Sequence, residues 1–276
     1  MPDQFLPLLI LGLVAGVMSG MFGIGGGIII VPALTLLLGF DLLKATGTSL
    51  AALLMPVGLF AVIAYYRAGK LQILPAVLVA IGLLTGSGFG STLVLHVLDP
   101  LTGKRLYGLF VLLMSWRFAE PRKVWAEYRQ RKSGDATYTD SMEQSSQPVV
   151  TNRADLWSFR VILLVVGLFA GVLAGMFGIG GGIVIVPALI LLLKFDQKEA
   201  TGTSLAALLL PVSLPAVLDY YNAGKLDLLT ALPVALGLLV GALFGARIAL
   251  GLSTKTVKRL YGLFLFAVSL RFLFGS

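Results

Sequence analysis

Residues 16–34 read GVMSGMFGIGGGIIIVPAL, and residues 171–189 read GVLAGMFGIGGGIVIVPAL. The copies lie 155 positions apart and agree at sixteen of nineteen sites. A second pair follows, with residues 45–57 (ATGTSLAALLMPV) returning as residues 200–212 (ATGTSLAALLLPV). A glycine break duplicated inside apolar sequence predicts paired interrupted helices, the sequence mark of a binding site between repeats in a membrane carrier.

The surrounding composition supports that setting. The chain has 276 residues, 58% hydrophobic and 12% charged, with a mean hydropathy of +0.96. Soluble domains carry about 25% charged residues, so an all-α polytopic membrane protein is expected. The formal net charge of +8 is concentrated at segment ends and in one linker, where basic residues set topology. Nucleic-acid binding is not indicated. The absence of cysteine removes thiolate metal sites and disulfides. The opening Met1-Pro2-Asp3-Gln4 lacks the basic region of a cleavable signal.

Five apolar segments precede the linker: residues 5–22, 28–40, 45–66, 71–97 and one from Lys104 to about Arg117. The second is short. Its thirteen residues make roughly 20 Å of helix against a hydrocarbon core of ~30 Å. A half-helix that begins within the membrane is expected there, because irregular backbone is tolerated at depth where it lines a cavity. Pro56 predicts a kink in the third segment. Residues 119–155 change character, with Arg122, Lys123, Arg129, Arg131 and Lys132 followed by a polar stretch that cannot form a core. A cytoplasmic linker is expected from its basic cluster.

The second half repeats the plan over residues 156–177, 183–195, 200–221, 226–250 and 257–274. Three regions result: a first transmembrane repeat (1–118), the linker (119–155) and a second repeat (156–276). Five segments per half is an odd number, so a linker confined to one side gives the halves opposite orientations, with both termini outward. That is an inverted repeat with broken or re-entrant helices, which places a site near the membrane midplane.

The doubled Gly-Ile-Gly-Gly-Gly and Thr-Gly-Thr-Ser motifs, in two hydrophobic halves, resemble the sulfite exporter TauE/SafE family. The resemblance covers both halves and excludes the linker. It implies a multi-pass carrier of the bacterial inner membrane for sulfur-containing anions such as sulfite, sulfoacetate or other organosulfonates. The halves differ locally, since Ala64-Tyr65-Tyr66-Arg67 corresponds to Asp219-Tyr220-Tyr221-Asn222.

The residues carry the same chemistry by themselves. Glycines let backbone N–H groups approach a ligand, and the helix that follows turns its positive end to the same point. Gly25, Gly26 and Gly27 with Gly180, Gly181 and Gly182 are therefore expected to form an anion cradle. Thr46, Thr48, Ser49, Thr201, Thr203 and Ser204 are expected to add hydroxyl donors. The competing roles are close helix packing for the glycines and capping for the hydroxyls.

Tyr66, Tyr221 and Asp219 are further candidate contacts. Tyrosines at segment ends belong by default to the interfacial belt, and an ionisable residue near a membrane segment suggests ion or proton coupling. Arg117, Arg247 and Arg271 are expected to reach the headgroups. His96 has no partner for a metal site. No phosphate-loop lysine follows the glycines, so ATP-driven pumping and a bound cofactor are not expected. A secondary anion carrier fits best, an anion channel of the same architecture is the alternative, and no constellation for a membrane enzyme is present. The expected partners are the anion, membrane lipids and a coupling ion (proton or sodium), with self-association left open.

Overall fold

Proline and glycine divide residues 2–96 and 153–251 into the same succession of five helices. The computed structural model describes residues 2–119 and 153–251, and these hold eleven α-helices and no strand. The first half contributes α1 (Pro2–Phe22), α2 (Gly27–Leu37), α3 (Leu42–Leu54), α4 (Leu59–Arg67), α5 (Ile73–His96) and α6 (Pro100–Ala119). The second contributes α7 (Arg153–Phe177), α8 (Gly182–Leu193), α9 (Gln197–Leu209), α10 (Leu214–Asn222) and α11 (Leu228–Gly251). The interior of the expected linker and the segment 257–274 lie outside the described residues, and so does the C-terminus.

Among the described residues four helices are long and apolar enough to cross a membrane: Gln4–Phe22, Ile73–His96, Trp157–Phe177 and Leu228–Gly251. The segments 45–66 and 200–221 are bent pairs, α3 with α4 at 51° and α9 with α10 at 49°. Pro56 and Pro211 cause both breaks. A residue before proline is pushed out of the helical region, and Met55 (ψ 151°) and Leu210 (ψ 153°) are extended. Tight turns then re-aim the chain, with Val57 N donating to Met55 O and Val212 N to Leu210 O, each at 2.6 Å. The short helices α2 and α8, of 11 and 12 residues, have the shortness expected from sequence.

Of the described residues, 2–100 and 153–251 form one compact unit, and 101–119, within α6, belong to a second. Inside the first unit the halves are exchanged, because α1 lies along α11 and α5 along α7. Glycine makes this possible. A Cβ on Gly12, Gly16 or Gly20 would come within 2.1, 2.5 and 2.1 Å of the carbonyl oxygens of Val234, Leu238 and Ala242. Gly237, Gly241 and Gly245 meet α1 in the same way, and Gly82, Gly86 and Gly90 repeat the pattern against α7. Lipid supplies no hydrophobic drive between helices, so this close backbone approach is what holds them. Ile10, Val14, Phe89, Phe169 and Phe244 remain exposed, a distribution suited to acyl chains. The exchanged pairing fits two inverted repeats.

Candidate functional site

The two glycine turns meet at the centre of this unit. Gly25 and Gly26 have φ of +86°, and Gly180 and Gly181 have +79° and +80°, a left-handed backbone that glycine adopts without steric cost. Gly26 and Gly181 then cap α2 and α8. A Cβ on Gly25 would lie 3.6 Å from Gly180 Cα, and one on Gly180 the same distance from Gly25 Cα. Gly27 packs on Gly178 O and Gly182 on Gly23 O, where a Cβ would approach to 2.0 and 2.1 Å. Each turn is thus seated on the other.

The Thr-Gly-Thr-Ser stretches sit behind the turns. Sequence placed them at a helix start, but the helices begin earlier. Asp41 caps α3 by accepting from Lys44 N at 2.6 Å, and Asp196 caps α9 by accepting from Glu199 N at 2.7 Å. Residues 46–49 and 201–204 therefore lie past the first turn and are buried. Ser49 Oγ donates to Gly178 O and Ser204 Oγ to Gly23 O, both at 2.8 Å. Thr48 Oγ1 accepts from Asp227 N and Thr203 Oγ1 from Gln72 N, both at 3.1 Å. The Oγ1 atoms of Thr46 and Thr201 are buried without a hydrogen-bond partner.

Of each tyrosine pair, the first member faces inward. Tyr65 and Tyr220 are fully buried and donate to Gly20 O and Gly175 O at 3.0 Å. Tyr66 and Tyr221, the members singled out from sequence, are exposed. Asp219 lies on α10 beside Ser91 and Thr92 of α5.

A cavity of about 510 Å³, counting its open part, lies between the turns and the helix breaks. Its walls come in repeat-related pairs, Gly25 with Gly180, Leu53 with Leu208, and Val57 with Val212. Its hydroxyls do not. Ser19 corresponds to Ala174, Ser87 to Ala242 and Ser213 to Gly58. Ser87 Oγ donates to Val212 O at 2.8 Å, whereas Ser19 Oγ has no hydrogen-bond partner among the described residues. Gly25 and Gly180 are the only members of the expected cradle and hydroxyl set that line this cavity. Sequence reasoning passed over Ser19, Ser87 and Ser213. The available signal was a difference between the copies, and Ser19 is one of the three mismatches in the leading motif.

Four helix N-termini converge on this region. Gly58 and Ser213, both lining residues, cap α4 and α10, and α2 and α8 begin two residues after Gly25 and Gly180. The first N–H groups of a helix have no intrahelical acceptor, and each terminus carries about half a positive charge. Partial positive charge at these termini beside apolar side walls is a chemistry that suits an anion.

Charged residues gather away from the cavity, at the starts of α3 and α9. Lys225 Nζ pairs with Asp41 at 2.8 Å, Lys44 with Asp227 at 3.3 Å, and Lys70 with Asp196 at 2.7 Å and Glu199 at 3.9 Å. Burial works against the ionised Asp41, but the Lys225 hydrogen bond, the Lys44 amide and both lysine charges outweigh it and hold its carboxyl below the usual range. Asp227 is likewise lowered, with burial overcome by the Thr230 amide and Lys44. Lys70 is raised by its bond to Asp196, against burial.

A family model described as sulfite exporter TauE/SafE matches residues 4–272. The probable membrane transporter protein YunE of Bacillus subtilis (strain 168) is 29% identical over 262 residues, covering 92% of each chain. The probable membrane transporter protein MJ0441 of Methanocaldococcus jannaschii is 27% identical over 271 residues, covering 92% of this chain and 90% of its own. No solved structure matches the chain. The family match runs through both glycine turns and both Thr-Gly-Thr-Ser helices, and this multi-pass membrane transporter belongs to the sulfite exporter TauE/SafE family.

Proposed function

We propose that the chain is a secondary transporter that exports small sulfur-containing anions, such as sulfite, sulfoacetate or other organosulfonates, across the bacterial inner membrane. One observation carries the proposal: helix N-termini and two glycine turns face a cavity formed where both bent pairs break. Discontinuous helices that aim their positive ends at a central site suit an anionic substrate. A sulfite or sulfonate group offers three acceptor oxygens to N–H and hydroxyl donors at such a site. The side walls, Leu53, Val57, Leu83, Leu205, Leu208 and Val212, suit the carbon portion of an organosulfonate.

Within this proposal Gly25, Gly180 and Ser19 contact the anion. Gly26, Gly27, Gly181 and Gly182 set the turns, and Ser49 and Ser204 anchor them from behind. The two helix groups built on α1 with α11 and on α5 with α7 rock about the crossed turns, giving alternating access, with a proton or sodium gradient as the driving force.

Purified protein in liposomes, preloaded with unlabelled sulfite, should take up labelled sulfite by counterflow with saturation. Sulfoacetate and methanesulfonate should compete, and chloride should not. Saturable counterflow separates a carrier from the channel alternative. Flux without counterflow would reject alternating access, and no flux of any sulfur oxyanion would reject the substrate class.

A further inference from the structure

The seam between α5 and α10 holds a carboxylate and two serine hydroxyls whose counterparts in the matching seam between α11 and α4 are alanines. Ser87 Oγ bonds Val212 O, and one turn along α5 Ser91 Oγ lies 2.5 Å from Asp219 Oδ2. Thr92 Oγ1 is 3.5 Å from the same oxygen. The residues related by the repeat to Ser87, Ser91 and Asp219 are Ala242, Ala246 and Ala64, packed with Ala61 around Tyr65, and Thr92 corresponds to Arg247.

Asp41, Asp196, Glu199 and Asp227 each have a lysine ammonium within 3.9 Å. Asp219 has none among the described residues, and its partners there are hydroxyls. The charged and titratable groups around it are accounted for. From α5 comes His96, whose Nδ1 is 3.3 Å from Thr92 O. From α3, which also packs on α10, comes Lys44, engaged with Asp227. On α10 itself Tyr220 bonds Gly175 O and Tyr221 is exposed.

Ser91 has one hydroxyl proton and two acceptors in reach, Asp219 Oδ2 and Gly88 O at 2.9 Å. With the carboxylate ionised, that proton points to Oδ2. When the acid takes up a proton, Oδ2–H donates to Ser91 Oγ, and the serine proton turns to Gly88 O. Neither state strands a donor. A carboxylate fixed for structure gains nothing from the second arrangement, whereas one that loads and unloads depends on it. One carboxylate and two hydroxyls supply too few oxygens to replace a metal cation's hydration shell.

We infer that Asp219, with Ser91 as its switching partner, is the proton-binding site that couples this transporter to a pH gradient. The proton comes from water on one side and returns to water on the other, and only an O–H bond forms and breaks. Its reach to the substrate is short. Asp219 is six residues along α10 from Ser213 in the cavity wall, about 9 Å of helix. This inference rests on the transport proposal above.

The test uses the full-length protein, by infrared difference spectroscopy during a pH titration and in liposomes carrying a pH gradient, with sulfite and methanesulfonate as probes. Among the bands of the thirteen Asp and Glu carboxyls that grow as pH falls, wild type should show one from an acid bonded to a serine hydroxyl. The band should be absent in Asp219→Asn and shifted in Ser91→Ala. Asp219→Asn should keep counterflow of the probe and lose accumulation driven by the pH gradient. Full gradient-driven accumulation by Asp219→Asn, a band that survives that substitution, or accumulation driven by sodium alone would overturn the inference. If wild type moves neither probe, the substrate proposal fails separately, and the infrared titration still decides for or against the acid. If Asp219→Asn does not fold, the Ser91→Ala band decides, and an unshifted band overturns the assignment.

Discussion

Ser49 of the first half and Ser204 of the second make the same bond, at the same 2.8 Å, to the opposite glycine turn. Ser19 and Ala174, at equivalent positions on the wall of one cavity, make no such pair. The contrast recurs throughout the molecule. Tyr65 and Tyr220, Thr48 and Thr203, and Asp41 and Asp196 act in matched pairs that hold the backbone. Ser87, Ser91, Ser213 and Asp219 have no polar counterpart, since the other copy has Ala242, Ala246, Gly58 and Ala64. What the halves share is frame; the polar chemistry of cavity and seam lies where they differ.

The frame can be broken symmetrically, and that carries the largest expected effect. Gly27→Ala and Gly182→Ala each drive a methyl into a carbonyl of the opposite turn. Both should destabilise by about 3 kcal/mol, the upper end for overpacking, and by similar amounts. Thermal unfolding in detergent measures this, and a large inequality would break the equivalence of the halves.

Next come the paired hydroxyls. Ser49→Ala and Ser204→Ala leave a buried carbonyl without its donor, at a cost of about 1–3 kcal/mol each. Their melting temperatures should fall together while affinity for sulfite holds. Tyr65→Phe and Tyr220→Phe should behave alike, at about 1 kcal/mol.

The smallest effect concerns the charged ends. Asp41 and Asp227 have lowered folded values, so their contribution is present above the unfolded carboxylate value near 4 and is lost as pH falls through the folded one. Lys70 is raised, so its contribution is full below the unfolded lysine value near 10 and disappears as pH rises through the folded one. These groups are partly exposed, and each should be worth about 0.5 kcal/mol or less. Lys70→Met should flatten the alkaline limb of melting temperature against pH and leave the acid limb in place.

Much of the frame was legible because its causes are local. Duplication, apolar length and the proline at position 56 are enough to expect long spans, short half-helices and a break, and the bend at residues 55–58 is where proline forbids helix. The helix start was misplaced by several residues, because Asp41 offers a better cap than the hydroxyls that follow. The interlocking was hidden. The partners of Ser49 and Ser204 are 129 and 181 residues away, and periodicity says nothing about which backbone faces which. The cavity hydroxyls were hidden differently, because attention to what the copies share passes over Ser19 and Ser87. The exchange of Ala64 for Asp219 was the one asymmetry of this kind that drew notice.

We propose that the anion meets the hydroxyl of Ser19, which has no hydrogen-bond partner among the described residues, and not the paired hydroxyls behind the turns. Sulfite affinity and melting temperature measured together on Ser19→Ala and Ser49→Ala test it most directly. Ser19→Ala should weaken binding about ten-fold, the loss of one hydrogen bond to a charged group, with its melting temperature unchanged. Ser49→Ala should melt earlier and bind as wild type. Undiminished affinity in Ser19→Ala, with binding lost in Ser49→Ala, would contradict the account.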